Sequence, residues 1–331
     1  MPVVQRKNAG LRIRRSRVQV PPGTPKKHLP VKQEKQIKIV EVSPRDGLQN
    51  EKEILTTEKK KELIESLCET GVDEIEVGSF VSPKAVPQMK DTDNLLLMIN
   101  KKNNVKFSVL IPNMKGFERM MNLPESKRPE KIAVFTAASD TFNLKNINTT
   151  VEDSFKMIKP VIEEAKRCKF EVRAYISTAF WCPFEGKIKP EKVIYVAERL
   201  FELGVDEVSI GDTIGRGSPK DVSELLSLLL KKFSRDKIAL HFHNTYGMAL
   251  LNSFIAFRDF GIRIFDSSAG GLGGCPFAPG ASGNVATEDL IFMFENSGIK
   301  TGVDFKKVIS AVLKLEIPLR SSLSKIQKII E

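Results

Sequence analysis

The chain has 331 residues, 41% of them hydrophobic and 28% charged, a composition typical of a globular protein long enough for one barrel-type domain. It contains no apolar run near the roughly 20 residues that a membrane-spanning helix requires. Its four cysteines form no CxxC pair, which argues against a disulfide framework. We therefore expect no membrane partner and a reducing compartment, the cytoplasm.

The net charge of +11 is concentrated at the N-terminus. Residues 1–33 contain nine Lys or Arg and no Asp or Glu, which leaves +2 for the rest of the chain. We interpret residues 1–35 as a basic, disordered N-terminal tail, or as residues without a role that an upstream start-codon assignment adds, and expect no nucleic-acid-binding surface on the fold itself. An Arg-rich, acid-free segment is also typical of a transit peptide to the mitochondrial matrix, but the amphipathic pattern of such peptides is missing.

From residue 36 onward, strand-like and helix-like segments alternate. Strands are predicted at 37–42, 74–80, 106–111, 131–137, 171–177, 207–213, 237–243 and 262–268. Helices are predicted at 57–71, 91–100, 116–122, 151–168, 190–204, 218–233, 246–261 and 286–298. Eight β/α units predict an α/β fold, a single TIM (β/α)8 barrel over residues 36–331. A doubly wound open sheet gives a similar alternation, but no GxGxxG or Walker A motif follows any predicted strand.

Two of the three histidines, His241 and His243, stand one residue apart in the seventh predicted strand. Residues i and i+2 of a strand face the same side, so both imidazoles could bind one metal ion. Two hydrogen-bonded histidines on a half-buried strand are the alternative. In a barrel of this class, chemistry lies at the carboxyl ends of the strands, and polar residues gather there in this sequence. This clustering favours a functional site.

Arg45 and Asp46 follow the first predicted strand. Their "RDG" sequence is common in surface turns, but in a barrel Asp46 could add a carboxylate oxygen to the two histidines. Such a ligand set suits Mg²⁺, Mn²⁺ or Zn²⁺. Arg45 beside it would stabilise a developing enolate or thioester oxyanion.

Six glycines lie within residues 270–284, where the backbone can approach a ligand closely. We expect Cys275, in this segment, to act as an acid, a base or a lid thiol. Cys68 and Cys168 instead fit packing on helix faces. Asn284 precedes a predicted helix, so its side chain is either the helix cap or a further metal ligand.

Four separate stretches closely resemble the hydroxymethylglutaryl-CoA lyase family: VEVSPRDGLQNEK, SFVSPKAVPQM, HFHNTYGMAL and GGLGGCPFAPGASGNVATEDL. The resemblance covers residues 36–305. It implies a (β/α)8 metal-dependent lyase that splits 3-hydroxy-3-methylglutaryl-CoA, an acyl-CoA, into acetyl-CoA and acetoacetate. It also implies a homo-oligomer, a dimer or larger.

The resemblance further implies four metal ligands, with Mg²⁺ or Mn²⁺ as the expected cation: Asp46, His241, His243 and Asn284. Arg45 matches the arginine at the substrate thioester, and Cys275 matches the active-site cysteine of the glycine-rich loop. Glu76 matches an acidic residue of the family's site. Asp46 and His241 are both candidates for the general base.

Three other functions compete with this interpretation. One is a lyase for another 3-hydroxyacyl-CoA. Another is a Claisen-condensing acyltransferase on the same barrel, such as an isopropylmalate synthase, but those enzymes typically carry a GERAGN-like loop where this chain has GGCPFAPGASGN. The third is a non-catalytic metal- or RNA-binding module that uses the basic tail.

Overall fold

Eight parallel strands form a closed barrel in the computed structural model, which describes residues 35–100, 104–274 and 283–325. The strands are β1 (Lys38–Glu41), β2 (Glu74–Ser79), β3 (Lys106–Leu110), β4 (Lys131–Ala137), β5 (Glu171–Ser177), β6 (Glu207–Asp212), β7 (Ile238–Phe242) and β8 (Ile264–Ser267). Each strand pairs with its neighbours in chain order, and β1 pairs with β8, where Lys38 lies opposite Ile264. This closure confirms the predicted TIM (β/α)8 barrel and excludes the open sheet.

Ten α-helices accompany the strands within the described part of the chain. They are α1 (Thr57–Leu67), α2 (Thr92–Met98), α3 (Met114–Met121), α4 (Asp140–Ile147), α5 (Val151–Arg167), α6 (Pro190–Glu202), α7 (Pro219–Leu229), α8 (Ala249–Phe260), α9 (Thr287–Asn296) and α10 (Phe305–Leu313). Eight of them match the predicted helices to within a few residues.

Three elements were not predicted. Helix α4 is short and has only a weak apolar face, so it lacks the periodic signal of a longer helix. Helix α10 follows the eighth β/α unit. A small antiparallel hairpin, Trp181–Cys182 with Gly186–Lys187, lies between β5 and α6, and its two-residue strands are too short to show alternation.

The helices begin where the sequence supplies a cap, and they bury one apolar face. Helix α5 starts after Thr150 and helix α7 after Ser218, and each hydroxyl accepts a hydrogen bond from a backbone N–H three residues on. Ile158 of α5 and Leu226 of α7 are fully buried in the main hydrophobic core. This burial places the helices against the outside of the barrel. The interior of the barrel is therefore filled by the side chains of the strands themselves.

Most of the predicted N-terminal tail, residues 1–35, lies outside the described residues, with Lys35 as the exception, and Cys275 also lies outside them. Among the helices that the structure describes, none is both long and apolar enough to cross a membrane.

The interior of the barrel, away from its carboxyl end, contains a set of ionic groups that we call the floor charges: Lys38, Glu74, Lys131, Arg173 and Glu207. Lys131 Nζ lies 2.7 Å and Lys38 Nζ lies 3.0 Å from the same oxygen, Oε2 of Glu74. Burial by itself would raise the pKa of Glu74, but the charges of Lys131, Lys38 and Arg173 outweigh it and lower this pKa to about 2. Glu74 is therefore ionised at neutral pH and neutralises the buried Lys131 and the half-buried Lys38.

We expect Glu74→Gln to lower the free energy of unfolding at pH 7 by about 3–5 kcal/mol, because it leaves Lys131 and Lys38 without their shared carboxylate. A carboxyl group with a lowered pKa stabilises the fold above its unfolded-state pKa of 4.5, and this contribution is lost as the pH falls toward 2. The difference between wild type and variant should therefore narrow below pH 4.5. Urea denaturation at a series of pH values measures it.

Glu171→Gln is the matched control, since Glu171 Oε2 also lies near Lys131, at 3.9 Å, but its side chain is 46% exposed. Its loss should cost less than about 1 kcal/mol. Equal losses in the two variants would contradict the assignment of Glu74 as the structural partner of these lysines.

Candidate active site

A cavity of about 330 Å³ opens at the carboxyl ends of the barrel strands. Four predicted site residues line it: Arg45, Asp46, His241 and His243. Tyr175 of β5 and Gly274 of the glycine-rich segment also line the wall. The cavity is large enough for the acyl group of a small substrate, and it lies where barrel enzymes carry their chemistry.

Asp46, His241 and His243 turn their ligand atoms toward one another. One ligand atom from each residue lies within 4.8 Å of the other two. His241 Nε2 is 3.4 Å from His243 Nε2 and 3.7 Å from Asp46 Oδ2. In the part of the chain that the structure describes, no other group of His, Cys, Asp and Glu has this spacing.

The chemistry of this donor set fits a divalent cation. Burial and the neighbouring His241 lower the pKa of His243 to about 4, so its ring is neutral near pH 7 and offers a lone pair. Burial opposes ionisation of Asp46, but the charge of Arg45, together with the charges that the histidines carry in acid, outweighs it and holds the pKa of Asp46 well below its usual value. Imidazole nitrogen and carboxylate oxygen together suit Mg²⁺, Mn²⁺ or Zn²⁺.

Asp266 of β8 fixes the orientation of His241. The register of β7 and β8 places the two residues side by side, and His241 Nδ1 lies 3.2 Å from Asp266 Oδ2. Asp266 is held in turn by Arg173 Nη2 at 2.5 Å and by the Ser209 hydroxyl at 2.8 Å. Because Nδ1 faces Asp266, Nε2 faces Asp46 and the cavity. A carboxylate behind an imidazole is the usual arrangement for a metal-binding histidine.

Arg45 and Asp46 lie in a single π-helical turn, Ser43–Gly47, directly after β1. The carbonyl of Val42 accepts hydrogen bonds from the backbone N–H of both Arg45 and Gly47, each at 3.1 Å. Such wide turns are frequent at functional sites. Here the turn places two consecutive side chains at the mouth of the barrel.

The guanidinium of Arg45 is fixed by two carboxylates and an aromatic ring. Nε donates to Glu76 Oε2 at 2.5 Å, Nη1 donates to Asp46 Oδ1 at 2.6 Å, and Cζ lies 5.3 Å from the centre of the Tyr175 ring. Burial alone would lower the pKa of Arg45, but Glu76 and Asp46 raise it, so the cation persists. Glu76 contacts Arg45 from the barrel interior and does not line the cavity.

Asn284 does not cap the following helix, so that alternative is wrong. Helix α9 begins at Thr287, and Asn284 instead forms an isolated β-bridge with His243. This bridge places the Asn284 side chain beside Asp46, whose Oδ2 accepts a hydrogen bond from Asn284 Nδ2 at 2.8 Å. Asn284 is therefore adjacent to the three clustered residues, and its role as a fourth ligand stays a prediction.

Three further residues at the site, Asp266, Arg173 and Tyr175, were not predicted from the sequence. Arg173 and Tyr175 stand two residues apart in β5 and so share one face of the strand. Arg173 contacts Asp266, and the Tyr175 ring packs against the ring of His241. Arg173 and Asp266 each place a charge inside a predicted strand. A buried charge needs a partner, so this pattern could have indicated that the two residues pair. Cys275 lies outside the described residues, so its predicted role is carried forward as a prediction.

The chain is similar to known lyases over most of its length. A family profile described as HMGL-like matches residues 36–313. A mitochondrial hydroxymethylglutaryl-CoA lyase of Pongo abelii is 47% identical over 277 residues, which are 84% of this chain and 84% of the relative. A cytoplasmic 3-hydroxy-3-methylglutaryl-CoA lyase of Danio rerio is 49% identical over 275 residues, 83% of this chain and 81% of the relative.

The solved structures include a hydroxymethylglutaryl-CoA lyase from Pseudomonas aeruginosa with a TM-score of 0.85 and 41% sequence identity. The alignment covers 90% of this chain and 99% of that one. The profile match, the sequence relatives and the shared barrel agree, and the chain belongs to the HMGL-like family.

Proposed function

We propose that the protein is a divalent-metal-dependent hydroxymethylglutaryl-CoA lyase. It would cleave (S)-3-hydroxy-3-methylglutaryl-CoA to acetyl-CoA and acetoacetate, the activity for which its relatives are named. The observation that carries the proposal is the cluster of Asp46, His241 and His243 beside Arg45 at the mouth of a barrel cavity. An acyl-CoA is therefore the proposed small-molecule partner.

Asp46, His241 and His243 would hold the cation, with Asn284 as a proposed fourth ligand. When bound, Mg²⁺ or Mn²⁺ would supply positive charge that orients substrate oxygens and lowers the pKa of a hydroxyl group. Asp266 keeps His241 turned toward the cavity through its contact with Nδ1. Glu76 keeps Arg45 turned toward Asp46 through its contact with Nε.

The reaction requires two proton transfers and one C–C cleavage. Asp46 or His241 would accept the proton of the substrate's C3 hydroxyl. The C2–C3 bond then breaks, its electron pair remains on C2, and acetoacetate and the enolate of acetyl-CoA are formed. The fixed charge of Arg45 would stabilise the enolate oxygen, and Cys275 or His241 would return a proton to C2.

The location and the assembly of the protein are also proposals, the first from its composition and the second from the family resemblance. The cytoplasm is the proposed location, and the mitochondrial matrix is the alternative, since the relatives include both mitochondrial and cytoplasmic proteins. A homo-oligomer, a dimer or larger, is the proposed assembly.

We expect the purified protein to bind one Mn²⁺ per chain and Asp46→Asn to weaken binding by more than about 100-fold, because it removes a charged ligand. Asp266→Asn should weaken binding by about 10- to 100-fold, because it acts only through His241. Electron paramagnetic resonance of free Mn²⁺ measures both. Asp259→Asn, an exposed change on α8, is the control and should bind as wild type. Unchanged affinity in Asp46→Asn would rule out the proposed site.

The activity is tested with 3-hydroxy-3-methylglutaryl-CoA and Mg²⁺, with acetoacetate followed by mass spectrometry. We expect acetoacetate to form, to be abolished by excess EDTA and to be restored by added Mg²⁺. Cys275→Ala should lower kcat by at least about 100-fold, the usual effect of removing a group that transfers a proton. If no product forms with any divalent ion, the substrate assignment is wrong.

A further inference from the structure

The loop after β1 and the C-terminal part of the chain meet at the ion pair between Glu51 and Arg320. Arg320 Nη1 lies 2.6 Å from Glu51 Oε1, and Nη2 lies 3.3 Å from Oε2. The Glu51 side chain is 11% exposed and that of Arg320 is 34% exposed. A bidentate, partly buried pair of this kind restrains two segments more firmly than a fully exposed ion pair does.

The same loop also binds one side of what we call the neck, residues 272–274 and 283–284. Glu51 Oε1 accepts a hydrogen bond from the backbone N–H of Gly273 at 3.4 Å. The side-chain amide of Asn50, the preceding residue, donates to the carbonyl of Gly274 at 2.7 Å. Glu51 thus shares its carboxylate between the neck and Arg320.

The neck forms a wall of the proposed metal site. A Cβ atom added to Gly273 would lie 2.6 Å from Asn284 Nδ2 and 3.2 Å from the carbonyl oxygen of Asp46. A Cβ added to Gly283 would lie 1.9 Å from the carbonyl oxygen of Gly273, so the two sides of the neck are in direct contact. A shift of Gly273 would therefore displace Asn284 or Asp46.

The C-terminal segment, residues 319–324, is itself anchored to the chain just before the neck. The backbone N–H groups of Arg320 and Ser321 both donate to the carbonyl of Gly270, at 2.7 and 3.1 Å. Those of Ser322 and Leu323 donate to the carboxylate of Asp289 in α9, at 2.8 and 2.9 Å. Arg320 therefore extends from a fixed backbone toward Glu51.

We propose that Glu51 and Arg320 are positioning residues of the lyase, an inference that rests on the proposed metal site. Their ion pair holds Gly273 against the Asn284 side chain and the Asp46 backbone, and so keeps these two residues at the spacing that a cation needs. Without the pair, the carboxylate that accepts the Gly273 N–H is either removed or no longer held in place. The metal site then loosens while the barrel, which neither residue helps to close, stays folded.

The test compares wild type with Glu51→Gln, Arg320→Gln and the double variant in the full chain. We expect each single variant to raise the Mn²⁺ dissociation constant by about 10-fold, as outer-shell changes do, and to lower kcat with KM for the acyl-CoA within about twofold. The double variant should be no worse than the singles, because the two residues act as one unit. The melting temperature of the metal-free protein should stay close to that of wild type.

Glu316→Gln is the matched control. It breaks a different ion pair of the same C-terminal region, in which Glu316 lies 3.3 Å from Lys59 of α1. The Glu316 side chain is exposed and is not part of the neck. It should leave Mn²⁺ affinity and kcat unchanged. Arg320→Lys, which keeps the charge but loses the two-pronged geometry, should weaken Mn²⁺ binding less than Arg320→Gln.

Wild-type Mn²⁺ affinity in Glu51→Gln, or losses that add up in the double variant, would overturn the positioning role and leave the proposed function standing. Absence of Mn²⁺ binding by the wild type would overturn both. If the metal-free variants are so destabilised that partial unfolding explains their weaker Mn²⁺ binding, the pair has only a structural role and the proposal is wrong.

Discussion

Asp266 is a carboxylate that the fold has buried, at 2% exposure, and its charge must be neutralised by protein groups alone. Arg173, Ser209 and His241 share this role. Burial by itself would raise the pKa of Asp266, but the charge of Arg173 and the contact with His241 outweigh it and lower this pKa. The direction of the His241 ring, and so the direction of its free nitrogen, follows from this requirement.

Arg173 also connects the candidate site to the barrel interior below it. Its Nη2 reaches Asp266, and its Nε lies 3.2 Å from Oε1 of Glu207. Charges of opposite sign therefore alternate from the floor of the barrel to the cluster of Asp46, His241 and His243. A polar interior of this kind is unlike the branched apolar layers that usually fill such barrels. It links the candidate site to the barrel interior through a chain of ion pairs.

The sequence was sufficient for the barrel and for much of the site, because both depend on local patterns. Eight apolar strands with helices between them allow few topologies, and parallel strands bring their carboxyl ends together, which grouped His241, His243 and Asp46. Asp266 was not predicted because its contact with His241 depends on the register between β7 and β8, which the sequence does not show. The sequence also left open whether Asn284 caps a helix. Only the structure shows that Asn284 pairs with His243 and that the helix begins later, at Thr287.

The floor charges constrain how this sequence can change. Lys131 and Lys38 share one oxygen of Glu74, so replacing Glu74 leaves both lysines with only the more distant carboxylate of Glu207, at 3.6 Å from each. Replacing the set together with apolar side chains of similar volume removes that penalty, whereas exchanging the signs of Glu74 and Lys131 alone would place a positive charge at position 74 against Lys38. Among related chains these positions should therefore covary, whereas the exposed Glu171 should vary independently of them.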